Sequence, residues 1–233
     1  MIFFVFNVRR FLLYLFLIAV TVFVLSIFSL TGMDALGVFT DSRELPIYSV
    51  EVPEKRVSIT FDCAWGADDI PDILQTLKEA NIKASFFIVG QWAEKFPDKV
   101  KQIARDGHDV SNHSYSHRKM AGLGRTQTAS EIGDCGRLLE RLSGRKCDLF
   151  RAPYGEYNNT LIKEASLQGY YSIQWDVDSL DWSPGISREE ILRRVDSKVK
   201  NGSIILFHND TPHTAKILPS VILDFLCAGG LLD

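Results

Sequence analysis

Histidine, aspartate and arginine residues occur at spacings that suit metal and acid–base chemistry. His113 and His117 are four positions apart, a spacing that can place two imidazoles on one metal ion in either a helical turn or a wrapped loop. Asp62 and His208 each end a short apolar run. A carboxylate and an imidazole can act as general base and general acid. These residues predict chemistry only if the fold brings them together.

The segment Val57–Gly66 is the clearest strand signal before any of these residues. Val57, Ile59 and Phe61 alternate with smaller polar residues, which predicts a strand with Asp62 at or just past its carboxyl end. Catalytic side chains collect at that end of the strands in parallel α/β folds. An aspartate also commonly starts a loop or caps a helix, so this segment alone leaves both interpretations open.

Apolar runs and helical patterns alternate six times along the chain. Strands are predicted over 84–89, 108–111, 148–151, 170–175 and 203–207. Helices are predicted after an Asp69 cap, from Trp92 to Gly107, over 132–142 and 159–168, after a Ser187–Glu190 capping box, and over 218–226. This alternation predicts a parallel sheet with helices outside, in the form of a barrel.

Polar residues follow most of the predicted strands. They are Asp62, His113 with His117, Arg151, Asp176 with Asp178, and His208. One barrel mouth would gather all of them, because the carboxyl ends of parallel strands meet there.

Composition excludes one class of partner. The net charge is −3 and the pI is near 6.0, and no stripe of lysine and arginine is present, so we expect no nucleic-acid binding. No sequence feature indicates a protein partner.

The amino-terminal part of the chain predicts a membrane segment. Residues 11–30 carry no charge, are long enough to cross a hydrocarbon core of about 30 Å, and follow Arg9 and Arg10. We expect a cytoplasmic tail over 1–10, a single-pass signal anchor over 11–30, a stalk or first domain edge over 31–51, and one domain over 52–233 outside the cytoplasm. A cleaved signal peptide is the alternative, although no Ala-x-Ala site follows Leu30.

Five short motifs now carry a family resemblance. TFD (60–62), HSYSH (113–117), RAPYG (151–155), DSLDW (178–182) and LFH (206–208) resemble, in order and spacing, the motifs of the NodB-type polysaccharide deacetylases. The resemblance implies a distorted (β/α) barrel and removal of N-acetyl groups from amino sugars of an extracytoplasmic polysaccharide, most plausibly peptidoglycan. Trp65, Gly66 and the single anchor are similar to a membrane-anchored branch of spore-forming bacteria.

The resemblance also implies roles for individual residues. A divalent metal, zinc or alternatively cobalt or nickel, would lie on His113 and His117. Asp62 would be the general base, oriented by Arg151, and His208 the general acid.

Further roles follow from the same motifs. Asp178 would orient or charge-stabilise His208, and the backbone N–H of Tyr154 would donate to the oxyanion. Trp182 and Leu206 would form the walls against which the sugar and its acetyl group pack.

Two departures from the family pattern matter. The family usually has a second, metal-binding aspartate where this chain has Cys63. Cys63 could ligate zinc as a thiolate, or it could be a small buried residue, with the metal lost, weakened, or completed by Asp68 or Asp69. The chain also stops where the family continues into another strand, so we expect the last barrel strand to be missing. A glycan-binding pseudoenzyme with a lost metal site is therefore the alternative function.

Overall fold

The computed structural model describes residues 8–35, 43–227 and 230–232, without the side chains of 27–35, 231 and 232. The chain forms two compact units, 1–42 and Arg43–Asp233. The first contains helix α1, Val8–Ala35. Its Val8–Ser26 window has a mean hydropathy of 2.2, so by length and composition it could cross a membrane or serve as a signal sequence. Residues 1–7 of the predicted tail and 36–42 of the predicted stalk lie outside the described part of the chain.

The second unit is built on one parallel sheet. Its strands are β1 Arg56–Cys63, β2 Ser85–Ile88, β3 Asp109–Asn112, β4 Leu149–Phe150, β5 Tyr171–Ser172, β6 Val177–Asp178, β7 Ile204–His208 and β8 Leu231–Leu232. The order is β5-β4-β3-β2-β1-β7-β6, and β8 pairs with the start of β1. The sheet curls into a half-barrel, which confirms the predicted fold class.

Helices cover the outside of the curled sheet. They are α2 Ile70–Glu79, α3 Gly90–Lys95, α4 Pro97–Arg105, α5 Arg125–Ser143, α6 Asn159–Leu167, α7 Arg188–Lys198 and α8 Thr214–Cys227. The helix predicted from Trp92 to Gly107 is thus two helices. Phe96 leaves the helical conformation between them (φ −128°, ψ 54°), because Pro97 disfavours a helical residue before it.

The two faces of the central strands have different tasks. Ile59, Phe61 and Cys63 of β1 and Ile205 and Phe207 of β7 are buried in the core between sheet and helices. Alternate residues therefore point into the half-barrel, since successive strand residues point to opposite faces. Thr60 and Asp62 pair in register with Leu206 and His208 on this inner face. The period of two thus separates the residues of the core from those of the site.

The domain begins earlier than the predicted boundary at residue 52. Residues from Arg43 belong to the compact unit. Ile47 donates its N–H to Ser172 O at 2.8 Å, and Val50 donates to Gly202 O at 2.9 Å. The segment therefore links the β5 edge to the start of β7, as a first edge of the domain and not as a stalk.

The carboxyl end also differs from the prediction of a missing last strand. Leu231 and Leu232 form β8 and pair with Arg56 and Val57. The described end of the chain therefore contributes a two-residue strand. Residues 228, 229 and 233 lie outside the description.

Candidate active site

The inner face of the half-barrel opens into a cavity of about 350 Å³ at the carboxyl ends of the strands. All five motifs contribute to its lining, which consists of Asp62, His113, His117, Tyr154, Asp178, Trp182, Leu206 and His208, together with Ala64, Trp65 and Trp175 from outside the motifs. The fold therefore brings the polar residues that follow the strands together in one cavity, as predicted. Arg151 lies directly beneath this cavity and contacts it through Asp62. Asp176 does not line it; its carboxylate accepts hydrogen bonds from Ser203 and Ile204.

Asp62 is held as a carboxylate by Arg151. The guanidinium is fully buried and donates from Nη1 to Asp62 Oδ1 at 2.7 Å and to Thr60 Oγ1 at 3.0 Å. It also lies 3.9 Å from the ring centroid of Phe87, which fixes its plane. Burial alone would raise the pKa of Asp62, but Arg151, His113 and His208 together lower it below its usual value. Asp62 is thus ionised and oriented, as a general base requires.

His113 presents a free imidazole nitrogen beside Asp62. Its Nδ1 lies 2.8 Å from Arg151 O, and because a carbonyl only accepts, Nδ1 carries the proton in this contact. Nε2 is then the basic nitrogen, 3.3 Å from Asp62 Oδ2. Burial lowers the pKa of His113, and burial lowers that of His117 to about 4. Both imidazoles are therefore neutral at physiological pH, the state in which histidine binds a metal.

The HSYSH segment is a wrapped loop and not a helical turn. Ser114 and His117 both take left-handed backbone conformations, with φ of 63° and 55°. Glu131 of α5 holds the loop by accepting the backbone N–H groups of Tyr115 and Ser116 at 3.0 and 2.9 Å. The rings of His113 and His117 thereby lie close together, with centroids 5.1 Å apart and planes inclined by 59°. Glu131 is a positioning residue that the motif pattern did not indicate.

Asp181 orients His208, whereas Asp178, predicted to orient or charge-stabilise His208, acts on it only through its charge. His208 Nδ1 lies 2.9 Å from Asp181 Oδ1, and Asp181 is only 1% exposed. Burial lowers the pKa of His208, but the hydrogen bond and charge of Asp181, with Asp62 and Asp178, raise it above its ordinary value. Asp178 instead accepts the N–H of Leu180 at 2.9 Å and lines the cavity. Its effect on His208 is therefore that of a nearby charge.

Thr214 completes the hydrogen bonds that hold Asp181 against His208. Its fully buried hydroxyl donates to Asp181 Oδ2 at 2.5 Å, and the backbone N–H of His208 donates to the same oxygen at 2.7 Å. Sequence reasoning missed both Asp181 and Thr214. The DSLDW motif contains both Asp178 and Asp181, but the motif does not predict which of the two carboxylates contacts His208.

Aromatic residues surround the mouth of the cavity. Trp65, Tyr154 and Trp182 are each more than half exposed, and Leu206 forms part of the floor. Tyr154 takes a left-handed conformation (φ 61°) in the 3₁₀ turn Pro153–Gly155, strain of a kind that is kept where a site needs it. The predicted walls, Trp182 and Leu206, are thus in place, and the oxyanion role of the Tyr154 N–H stays a prediction.

Cys63 does not lie with the two histidines. Its side chain is fully buried in the outer core beside Phe61, and burial raises the pKa of its thiol well above the ordinary range. Neither Asp68 nor Asp69 lines the cavity. Asp69 stands at the predicted N-cap of α2 without a side-chain cap bond, and it accepts the N–H of Asp210 instead.

The donor set therefore fits a metal only in part. Two neutral imidazoles face the cavity with the Asp62 carboxylate nearby, whereas catalytic zinc sites usually have three protein ligands. Within the described part of the chain, no three histidine, cysteine or acidic side chains converge in a way that could hold an ion. Of the two roles considered for Cys63, zinc ligand or small buried residue, the structure agrees with the small buried residue.

Comparison with known proteins agrees with the motifs. The profile of the polysaccharide deacetylase family matches residues 49–173. A peptidoglycan-N-acetylglucosamine deacetylase of Bacillus cereus is 39% identical over 154 residues, which cover 66% of this chain and 56% of that protein. The chain spans about half the length of the first curated relatives that it matches.

Two solved structures share the fold closely. A pseudoenzyme of the CE4 family from Bacillus anthracis has a TM-score of 0.78 at 30% identity, covering 81% of this chain and 66% of that one. A peptidoglycan N-acetylglucosamine deacetylase has a TM-score of 0.77 at 33% identity, covering 80% and 89%. With its motifs gathered in one cavity and its sequence matched over more than half its length, this chain belongs to the polysaccharide deacetylase family, the NodB or CE4 group.

Proposed function

We propose that this protein is a metal-dependent hydrolase that removes N-acetyl groups from amino sugars of an extracytoplasmic polysaccharide, and that peptidoglycan is its substrate. One observation carries the proposal. Asp62 and His208 face one cavity from paired positions on adjacent parallel strands, the first held as a carboxylate by Arg151 and the second oriented by Asp181. A base and an acid in this register suit amide hydrolysis, which needs a proton removed from water and another given to the amine.

The two groups have separate tasks. Asp62 is placed to accept a proton from the attacking water, because Arg151 keeps it ionised. His208 is placed to donate a proton to the departing amine, because the hydrogen bond and charge of Asp181 raise its pKa and so favour the protonated imidazole. A divalent metal such as zinc, cobalt or nickel, held by His113 and His117, would supply the Lewis acidity that polarises the amide carbonyl.

The aromatic mouth suits a sugar substrate. Trp65, Tyr154 and Trp182 offer exposed ring faces around the cavity, and pyranose rings pack on such apolar surfaces. The similarity to peptidoglycan deacetylases supports an amino-sugar polymer. A spore-related role belongs to the same proposal and rests only on Trp65, Gly66 and the amino-terminal helix.

A second candidate function is glycan binding without hydrolysis. Cys63 lies in the core, so the position after Asp62 supplies no ligand to the two histidines. The similarity to a CE4 pseudoenzyme supports this candidate as well. A cavity that had lost its metal would still present aromatic walls to a sugar.

The two candidates differ in metal content and acetate release. The full chain, purified in a non-ionic detergent, is incubated with zinc, cobalt or nickel, freed of unbound ions, and assayed on peptidoglycan. We expect bound metal and acetate release from wild type and from Cys63→Ala, loss of metal in His113→Ala, and retained metal without acetate release in Asp62→Asn.

Other outcomes would favour the second candidate or change the assignment of Cys63. Glycan binding by wild type without metal and without acetate release would favour the pseudoenzyme. Loss of metal in Cys63→Ala would mean that Cys63 is a ligand after all. Asp62→Asn is a nearly isosteric change, so it keeps the shape of the cavity while it removes the base.

A further inference from the structure

A second groove lies next to the cavity and is larger than it. The groove has a volume of about 600 Å³ and is formed between the loop 180–186 and one face of α7. It is lined by Leu180, Ser183, Pro184, Gly185, Ile186, Glu190, Arg193, Arg194, Ser197 and Lys198, and we call it the basic groove. None of these residues lines the catalytic cavity.

The charge of the basic groove opposes that of the whole protein. Arg193, Arg194 and Lys198 line it with a single acid, Glu190, whereas the chain has a net charge of −3. The carboxylate of Glu190 is already engaged, because its Oε2 accepts the N–H and the hydroxyl of Ser187 at 2.9 and 3.0 Å. Arg193 and Lys198 are exposed; Arg193 interacts electrostatically with Glu190, but neither basic group lies within 4.0 Å of a described carboxylate. Positive charge is therefore available to a ligand.

One loop joins the basic groove to the catalytic cavity. Asp178 and Trp182 line the cavity, while Leu180 and Ser183 of the same loop line the groove. Arg194 fixes this arrangement by donating from Nε to Asp178 O at 2.6 Å. Leu180 takes a left-handed conformation (φ 58°), which turns the loop between the two spaces. A polymer with one sugar in the cavity can therefore reach the groove with a neighbouring part.

We propose that the basic groove binds a carboxylate carried by a flanking part of the same glycan whose sugar occupies the cavity. The inference rests on the proposed function, because it assumes a glycan in the cavity. Guanidinium and ammonium groups on an open wall suit a carboxylate, which is ionised at neutral pH. The groove would then select a polymer that carries acidic sugars or acidic substituents over an uncharged one.

The test compares two ligands of equal length on the full chain in a non-ionic detergent. One is the uncharged tetramer of N-acetylglucosamine, and the other is a tetrasaccharide of alternating N-acetylglucosamine and N-acetylmuramic acid. At low ionic strength we expect wild type to bind the charged ligand about 3- to 10-fold more tightly. Arg193→Gln with Lys198→Gln should abolish this preference without changing the affinity for the neutral tetramer. Added salt should weaken only the charged ligand.

A matched control removes the same charge elsewhere. Lys78→Gln with Arg105→Gln takes one lysine and one arginine from the exposed faces of α2 and α4, outside both spaces. The inference is overturned if wild type binds both ligands equally, if the groove variant weakens both ligands alike, or if the control loses the preference as well. Wild type that binds neither ligand would overturn the proposed function itself.

Discussion

At the scale of the residue, the support of His208 rests on how the two oxygens of Asp181 are divided. Oδ1 faces His208 Nδ1, while Oδ2 accepts the backbone N–H of His208 and the hydroxyl of Thr214. All three contacts are buried or nearly so. The carboxylate therefore cannot rotate without losing several hydrogen bonds, and the imidazole it faces is held in one orientation.

Removing the Thr214 hydroxyl should weaken this arrangement. We expect Thr214→Val to lower the free energy of unfolding by about 1 to 3 kcal/mol, because Asp181 loses a buried donor. Thr214→Ser keeps the hydroxyl and is the matched control. Urea unfolding followed by circular dichroism measures both. Equal stabilities of the two variants would show that the hydroxyl contributes nothing beyond packing.

The pair of Asp181 with His208 should also make stability depend on pH. The folded state raises the pKa of His208, so the stabilisation is fully present below about pH 6.5, the ordinary histidine pKa, and is lost as the pH rises through the folded-state value. We expect the destabilisation caused by Asp181→Asn to be larger at pH 5.5 than at pH 9. In a His208→Gln background this pH dependence should disappear. A destabilisation that is constant with pH would contradict the ion pair.

The sequence left the roles of Cys63 and Asp178 open, and the geometry of the structure distinguishes between the alternatives. Val57, Ile59 and Phe61 predict the core face of β1. The same alternation, continued to the end of the strand, puts Cys63 on the core face and Asp62 on the opposite face. The choice between Asp178 and Asp181 had no such signal. The left-handed backbone conformation at Leu180 determines which carboxylate contacts His208. Leucine rarely adopts that conformation, so the sequence did not predict it.

At the scale of the element, α7 combines a stability role with a binding surface. Ser187 and Glu190 form a complete capping box at its start, as the sequence predicted. The hydroxyl of Ser187 accepts the N–H of Glu190, and the carboxylate of Glu190 accepts the N–H of Ser187. The same box engages Glu190, the one acid among the described residues that line the basic groove, so helix capping leaves the groove positive.

Breaking this cap should cost a measurable part of the domain's stability. We expect Ser187→Ala to lower the free energy of unfolding by about 1 kcal/mol, since the first turn loses its side-chain acceptor. Ser197→Ala makes the same chemical change near the other end of α7 and should cost less than about 0.5 kcal/mol. Thermal unfolding of the two variants gives the comparison. A smaller loss for Ser187→Ala than for Ser197→Ala would exclude the cap as a stabilising feature.

The positions of most elements were predictable, whereas the bounds of the short strands were not: β4 and β5 lie inside the predicted segments 148–151 and 170–175, and β6 had no predicted strand. β1, β2 and β7 have clear apolar patterns, and α2 has Ile70, Ile73, Leu74 and Leu77 on its buried face. β4, β5 and β6 are two residues each, too short to show a period, and their pairing is set by neighbouring strands. The helix α8 begins at Thr214, before the predicted start at Leu218, and continues through Pro219.

At the scale of the whole molecule, the amino-terminal helix and the domain form separate compact units. Peptidoglycan lies outside the cytoplasm, so the proposed substrate requires that the domain be exported. An uncleaved anchor would keep the domain at the membrane surface, whereas a cleaved signal would release it. The apolar window Val8–Ser26 is compatible with both.

Anchoring can be tested on the full chain expressed in a bacterial host. We expect full-length protein in the membrane fraction after a carbonate wash, and digestion of its domain by protease added to spheroplasts, because Arg9 and Arg10 favour a cytoplasmic amino terminus. Val20→Lys with Val24→Lys places two charges in the apolar window, at a cost of about 2.5 to 3.5 kcal/mol each, and should abolish membrane retention. A shortened wild-type product in the soluble fraction would instead establish a cleaved signal. The domain would then reach its polymer by diffusion, because no membrane anchor would hold the site around Asp62 and His208 near the cell wall.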